Sequence, residues 1–347
     1  MSTPIPVEQQ LKDFRGDFDA LRREIGKVLV GQDDVVRQLL TAVVSGGHVL
    51  LEGVPGLGKT LLVETLGDVL RLTFQRIQFT PDLMPTDLLG THVVMETSQG
   101  RRTFEFQKGP IFSHLILADQ INRGLPKTQS ALLEAMEGGS VSVSDETFQL
   151  PQPFFVVATQ NPMEMEGTFP LPEPELDRFF LKLVFTSPNS RQIEEILDRT
   201  TEGEAPLVRA VIDSQRLLDM RELARKVPID AEVRRWGISL VAATHPDNAE
   251  ALQSVQRYVR YGASPRAAQA LVLASKVQAI IEGRNEVTRA DLRSVAHAVL
   301  RHRLILNFEG QAESVEPDSL VDDILQAIPD PMSIGPNASR TVMPAEQ

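Results

Sequence analysis

The stretch HVLLEGVPGLGKTLLVETL, residues 48–66, limits the possible folds of this chain more than any other. An apolar run of strand length, His48 to Glu52, meets Gly53-x-x-x-x-Gly58-Lys59-Thr60, and a helix-forming segment follows at once. Strand, glycine loop and helix in that order make a phosphate site. The glycines let backbone N–H groups curl around phosphate oxygens, Lys59 neutralises the β- and γ-phosphates, the Thr60 hydroxyl binds Mg²⁺, and the helix dipole adds to the field. A glycine-rich turn with an exposed lysine would not need this flanking context. The expected nucleotide contacts are Gly53, Val54, Pro55, Gly56, Leu57, Gly58, Lys59, Thr60 and Leu61.

The second half of such a site is a carboxylate at the end of a buried strand. SHLILADQINR, residues 113–123, supplies it: Leu115, Ile116, Leu117 and Ala118 lead into Asp119, which with Thr60 is expected to hold the magnesium. Apolar runs at 48–52, 74–79, 114–118, 154–158 and 180–185 alternate with helical stretches at 59–71 and 126–138, which predicts an α/β sandwich on a mainly parallel sheet. Residues 82–112 read as an insert of a hairpin and a short helix, and GGSVSVSDETFQL as a second hairpin.

Upstream, Leu11, Phe14, Phe18, Leu21, Ile25 and Val28 recur at helical spacing, and GQDDVVRQLL opens another helix. Downstream of Ser187 and Pro188 the strand signals largely stop, and 190–199, 214–226, 230–245, 264–283 and 288–303 carry helical periodicity. The expected division is therefore a core at 1–187, a small all-α lid at 188–305, and an acidic, proline-rich tail at 306–347. That tail is expected to hold at most one short amphipathic turn, from Val321 to Ile328, and its last 15 residues to be mobile.

Composition narrows the function classes. A formal charge of −12 repels a polyphosphate backbone, so a broad nucleic-acid surface is not expected. With no cysteine there is no disulfide framework, thiolate metal site or thiol nucleophile, and a cytoplasmic location follows most simply. No window approaches 18 consecutive apolar residues and the N-terminus lacks signal-peptide order, so membrane insertion is not expected. His297 and His302 lie five apart, and His48, His92, His114 and His245 stand alone; all six are expected to be structural or solvent-facing.

GQDDVVRQLLTAVVSGGHVLLEGVPGLGKT, FEFQKGPIF, LILADQINRGLPKTQSALLEAMEGGSV, FFVVATQNPMEMEGTFPLPEPELDRF and YGASPRAAQAL resemble, in order and spacing over about residues 30–303, the MoxR family of AAA+ ATPases. The resemblance implies an AAA+ αβα P-loop core with an insert and a hairpin before the sensor strand, followed by the helical lid. It implies ATP and Mg²⁺, a homo-oligomer that is usually a hexameric ring, and a partner carrying a von Willebrand factor A domain. By position, Asn161 resembles the sensor that orients the attacking water, Arg178 the arginine finger that reaches a neighbour's γ-phosphate, and Arg266 the second sensor of the lid. Arg266 follows Pro265 at a helix start, where a cation opposes the dipole, so a non-local anionic partner is expected for it. Asn122 and Arg123 are candidates for contact with a neighbouring subunit.

One position departs from the family pattern. After Asp119 that pattern has Glu, the residue that activates water; here it is Gln120. An amide matches the carboxylate in shape but cannot accept a proton, so ATP and Mg²⁺ should bind while hydrolysis is impaired. Two origins fit: a Glu changed to Gln to trap the ATP state, favoured because the other machinery is intact, or a homologue that hydrolyses slowly or with another base. The expected function is an ATP-driven chaperone or remodelling motor acting on a protein partner. The alternatives are an ATP-assembled scaffold without turnover and a DNA-acting AAA+ protein.

Overall fold

The computed structural model describes residues 6–96, 102–144, 146–162, 167–201, 206–249 and 251–328. Helix α1 (Val7–Gly26) buries Leu11, Phe14, Phe18, Leu21 and Ile25 along one stripe, and it ends before Val28. Helix α2 (Asp33–Ser45) starts on two aspartates, which suit the positive end of the dipole, and stops at Gly46 in the left-handed conformation.

The core follows as β1 (Val49–Glu52), α3 (Lys59–Val69), β2 (Phe74–Gln78), α4 (Pro85–Leu89), the hairpin β3 (Gly90–Glu96) with β4 (Arg102–Lys108), and β5 (Leu115–Asp119). It continues through α5 (Pro126–Gly138), the hairpin β6 (Ser140–Val143) with β7 (Glu146–Gln149), β8 (Phe155–Gln160), α6 (Glu173–Leu176) and β9 (Leu181–Val184). Five strands form one parallel sheet in the order β2-β5-β8-β1-β9. The three inner strands β5, β8 and β1 are apolar almost throughout because both faces are covered, whereas the edge strand β2 exposes Gln75, Arg76 and Gln78. Val49, Leu51, Leu115, Leu117, Phe155 and Val157 join the cluster shared with α1, α2 and the lid, while Leu50, Ile116, Ala118, Val156 and Ala158 face the side of α5 and the β6–β7 hairpin. The insert between β2 and β5 is α4 plus the β3–β4 hairpin. Phe106 of that hairpin stacks on Phe148 of the other, ring centres 4.2 Å apart, and so fixes the two hairpins to each other.

Helices α7 (Ser190–Thr201), α8 (Ser214–Lys226) and α9 (Ala231–Ala242) open the lid, then α10 (Gln253–Tyr258), β10 (Val259–Tyr261), α11 (Pro265–Ile281) and α12 (Arg289–Leu300). Asp213, Asp230 and Ser264 each accept a backbone N–H at the start of α8, α9 and α11. The lid is packed against the core: α2 touches α8 and α11, and one hydrophobic cluster runs from α1 through the sheet face into α11 and α12. A buried polar joint reinforces this contact. Arg303 donates to the carbonyls of Phe179 (2.6 Å) and Phe180 (3.2 Å) and to the Asp177 carboxylate (2.9 Å), while His302 donates to Phe179 (3.0 Å).

The lid is helical apart from one short pairing, in which β10 runs antiparallel to β11 (Ile305–Leu306). One expectation needs correction. The stretch after 306 is not a solvated tail as far as Ile328: it forms α13 (Phe308–Ala312) and α14 (Pro317–Ala327). Its acidic, proline-rich composition suggested solvation, yet Pro317 sits where a helix tolerates proline, and Leu320, Val321, Ile324 and Leu325 form a buried stripe against α12. The 15 residues expected to be mobile lie outside the described residues. Ile324→Ala should therefore cost about 2–4 kcal/mol in urea unfolding; an unchanged midpoint would mean that α14 carries no packing.

Candidate functional site

The parallel register brings the C-terminal ends of β1, β5 and β8 together, and a cavity of about 340 Å³ opens there. Gly56 and Gly58 adopt φ of 85° and 88°, which a side chain would strain, and Gly58 caps α3 so that Lys59 and Thr60 begin the helix. Lys59, Thr60, Asp119, Gln120 and Asn161 all line this cavity. The Lys59 ammonium donates 2.7 Å bonds to the carbonyls of Gly53 and Val54, its own loop. Burial lowers the Lys59 pKa from the usual lysine range, and the Asp119 charge opposes that shift.

Asp119 is held on both oxygens. Arg76 donates to Oδ2 from Nη2 at 2.6 Å and from Nε at 3.1 Å, and the Thr159 hydroxyl donates to Oδ1 at 2.6 Å. The same hydroxyl accepts the Gln120 N–H at 2.8 Å, so Thr159 ties the carboxylate and the residue after it to the neighbouring strand. Gln120 itself takes left-handed angles, φ 55° and ψ 52°, a conformation that costs a non-glycine residue about 1 kcal/mol. Its carbonyl Oε1 is buried without a hydrogen-bond partner. A strained backbone and an unsatisfied acceptor on the cavity wall mark a position shaped for something other than stability.

A second cavity of about 190 Å³ shares Gly56, Gly58 and Leu61 with the first and extends away from Lys59. Its walls are Val28, Leu29, Val30 and Leu57 from the core and Pro188, Ile196 and Thr200 from the lid side. Arg199 also lines it and donates to the carbonyls of Gly26 (2.9 Å) and Lys27 (2.7 Å), which fastens α7 to the end of α1 above the pocket. Apart from Leu57 of the glycine loop, no motif in the sequence pointed to these residues. Thr159 and Arg76 were missed as well, although strand position next to Asp119 was a usable signal for both.

Arg178 and Arg266 do not line either of these cavities. They meet at a third, small cavity with His48, Met136 and Glu137. Arg178 lies 3.3 Å and Arg266 2.5 Å from the Glu137 carboxylate, and Arg266 is 3.7 Å from Asp177. The anionic partner expected for Arg266 is thus on this chain. Asn122 is 3% exposed and its backbone carbonyl accepts the Phe169 N–H at 2.6 Å, which removes it from the surface as a candidate contact.

His48 and His302 serve structure. His48 accepts the Val156 N–H at Nδ1 (3.0 Å) and reaches the Met136 carbonyl from Nε2 (3.1 Å), so it is neutral with its proton on Nε2. Among the described residues no group of three or more His, Cys, Asp or Glu could hold a metal ion. The oxygen donors that line the first cavity, Thr60 and Asp119, suit a hard cation bound partly through water and phosphate. Among the described residues no helix is long and apolar enough to cross a membrane.

Comparison with known proteins agrees with this geometry. Residues 48–181 match the model of the ATPase family associated with various cellular activities (AAA), and residues 252–324 match an AAA lid domain. The chain is 39% identical over 325 residues to Chaperone MoxR1 of Mycobacterium tuberculosis, covering 93% of this chain and 85% of that one. It is 29% identical to the protein MoxR of Methylorubrum extorquens, over 95% of this chain and 100% of that protein. A crystal structure from Cytophaga hutchinsonii, described as a candidate ATPase, superposes with a TM-score of 0.85 at 41% identity over 92% of this chain and 96% of that chain.

Burial of His48 has a pH consequence. Desolvation lowers its pKa from 6.5 to about 4, so the unfolded chain takes up a proton that the folded chain refuses. Its contribution is complete above pH 6.5 and is lost as pH falls toward 4. His48→Gln can keep both hydrogen bonds without titrating. Stability measured by urea unfolding should fall more steeply for the parent than for this variant between those limits, and parallel curves would contradict the assignment.

Proposed function

The chain belongs to the MoxR family of AAA+ ATPases, and from that premise we propose that it binds MgATP between core and lid and uses it to assemble a ring acting on a protein partner. What supports the nucleotide site most directly is the pair of joined cavities: a polar one around Lys59 and an apolar one of base-like size, sharing the glycines of the loop between them. In this reading the triphosphate lies along the backbone from Gly53 to Leu61, and the adenine enters the apolar cavity between Val28–Val30 and the Ile196 face of α7. Lys59 turns from the carbonyls of Gly53 and Val54 to the β- and γ-phosphates, a better match for a cation. Thr60 and Asp119 would hold Mg²⁺, which when bound neutralises phosphate charge, and Arg76 would share or yield its place on Asp119.

Asn161 and Gln120 would orient the attacking water. Gln120 can position that water but cannot take its proton, so turnover is slow and the ATP state long-lived. This amide is also the specific observation behind a second reading, a scaffold assembled by ATP with no turnover. A DNA-acting role is disfavoured by the charge of −12.

Arg178 and Arg266, gathered at one cavity and absent from the walls of the phosphate cavity, are assigned to a neighbour's γ-phosphate, which makes the oligomer, most simply a hexamer, part of the catalytic unit. A partner with a von Willebrand factor A domain and a cytoplasmic location follow from the family resemblance. The chaperone role follows from that and from the name of the mycobacterial relative.

Gln120→Glu should raise steady-state hydrolysis by about 10²- to 10⁴-fold with ATP affinity nearly unchanged. Adding Lys59→Ala should cancel the gain by removing binding. If the first variant binds ATP and assembles yet stays as slow as the parent, position 120 is not that of the base. Light scattering with ATP and Mg²⁺ should report oligomers for the parent and a loss of them for Arg178→Ala.

A further inference from the structure

Glu137 occupies an unfavourable place. It is the penultimate residue of α5, so its carboxylate sits at the negative end of the helix dipole. Arg266, the second residue of α11, sits at a positive end. Each charge is at the wrong end of its own helix, and the two offset each other at 2.5 Å. Arg178 closes on the same carboxylate from the core side at 3.3 Å. Two guanidinium groups drawn to one point need an anion between them, and Glu137 supplies it.

We propose that Glu137 is the internal counter-ion that parks Arg178 and Arg266 within a single subunit and releases them to the γ-phosphate of a neighbour's ATP, thereby setting the ATP concentration at which rings form. The proposal takes the role of Arg178 at a neighbour's nucleotide, given above, as its premise. The carboxylate carries one negative charge and a terminal phosphate more than one, so the exchange runs toward the nucleotide once a neighbour presents it. Both pairs are half exposed, with side-chain exposures of 28% for Arg178, 47% for Arg266 and 49% for Glu137, so each is weak enough to open. ADP lacks the competing group and leaves the arginines parked.

The surrounding structure keeps the arginines in reach after release. Asp177 accepts the Ser264 hydroxyl at 2.7 Å and the buried Arg303 at 2.9 Å, which joins the segment carrying Arg178 to the start of α11 without help from Glu137. Glu137 lines neither the phosphate cavity nor the apolar one, so changing it leaves the ATP cradle of its own subunit intact.

The test is sedimentation velocity of the full chain, titrated with ATP at saturating Mg²⁺, for the parent, Glu137→Gln, Glu137→Ala and Arg178→Ala. Both Glu137 variants should lower the ATP concentration for half-maximal assembly by about 3- to 10-fold, the span that weak ion pairs allow. Their ATP affinity, measured with a fluorescent nucleotide below the assembly concentration, should match the parent. An unchanged or raised ATP requirement in folded Glu137 variants, alongside lost assembly in Arg178→Ala, would overturn the counter-ion role and leave the ring intact as a proposal. Parent-like assembly by Arg178→Ala would instead overturn the premise.

Discussion

The register of β8 between β5 and β1 is the constraint on which the site depends. Ala118 pairs with Ala158 and Leu51 with Thr159, so three strands running the same way end level with one another. Level ends place the glycine loop after β1, the carboxylate of β5 and the amide after β8 around one cavity, where a helix start also points its N–H groups. A slip of one residue would turn Thr159 to the opposite face and separate it from Asp119. Apolar side chains on both faces of the strands prevent that slip: moving Val157 or Leu117 to the other side would break two hydrophobic clusters at once.

A second theme is charge held in reserve. Lys59 rests on two carbonyls, Asp119 on Arg76 and Thr159, and Arg178 and Arg266 on Glu137. Each charged group that the proposed function directs at MgATP has a substitute partner within the chain. None is a deeply buried unpaired charge, which would cost several kcal/mol, and most of the substitutes are half exposed and easily exchanged.

How much of this could be read from residues alone depended on range. The phosphate loop, the strand into Asp119 and the amide at Gln120 were legible because each is a local signal: a spacing, an apolar run, one departure from a dipeptide. The helical stripe from Leu11 to Ile25 was legible for the same reason. The apolar cavity was not, since Val28 and Ile196 are separated by the whole core and carry no shared code. Helix α14 was masked by acids and prolines whose composition suggests solvent, although Leu320 and Ile324 already had helical spacing. Arg266 fell between these cases. Its place at a helix start called for an anion, but only the fold could say that the anion was Glu137, and that the arginine is absent from the walls of the phosphate cavity.

The central claim is that each nucleotide is completed by two subunits, and mixing tests it most directly. In a Gln120→Glu background, one preparation carries Lys59→Ala and so lacks a phosphate site but keeps its arginines. The other carries Arg178→Ala and keeps its phosphate site but lacks that arginine. Each alone should be inactive. Mixed in equal amounts, at a protein concentration high enough for rings to form despite both substitutions, random rings should regain hydrolysis at about a quarter of their interfaces, those pairing an intact loop with an intact arginine. A mixture no more active than the sum of its parts, with both chains found in the same oligomers, would contradict a site shared between subunits.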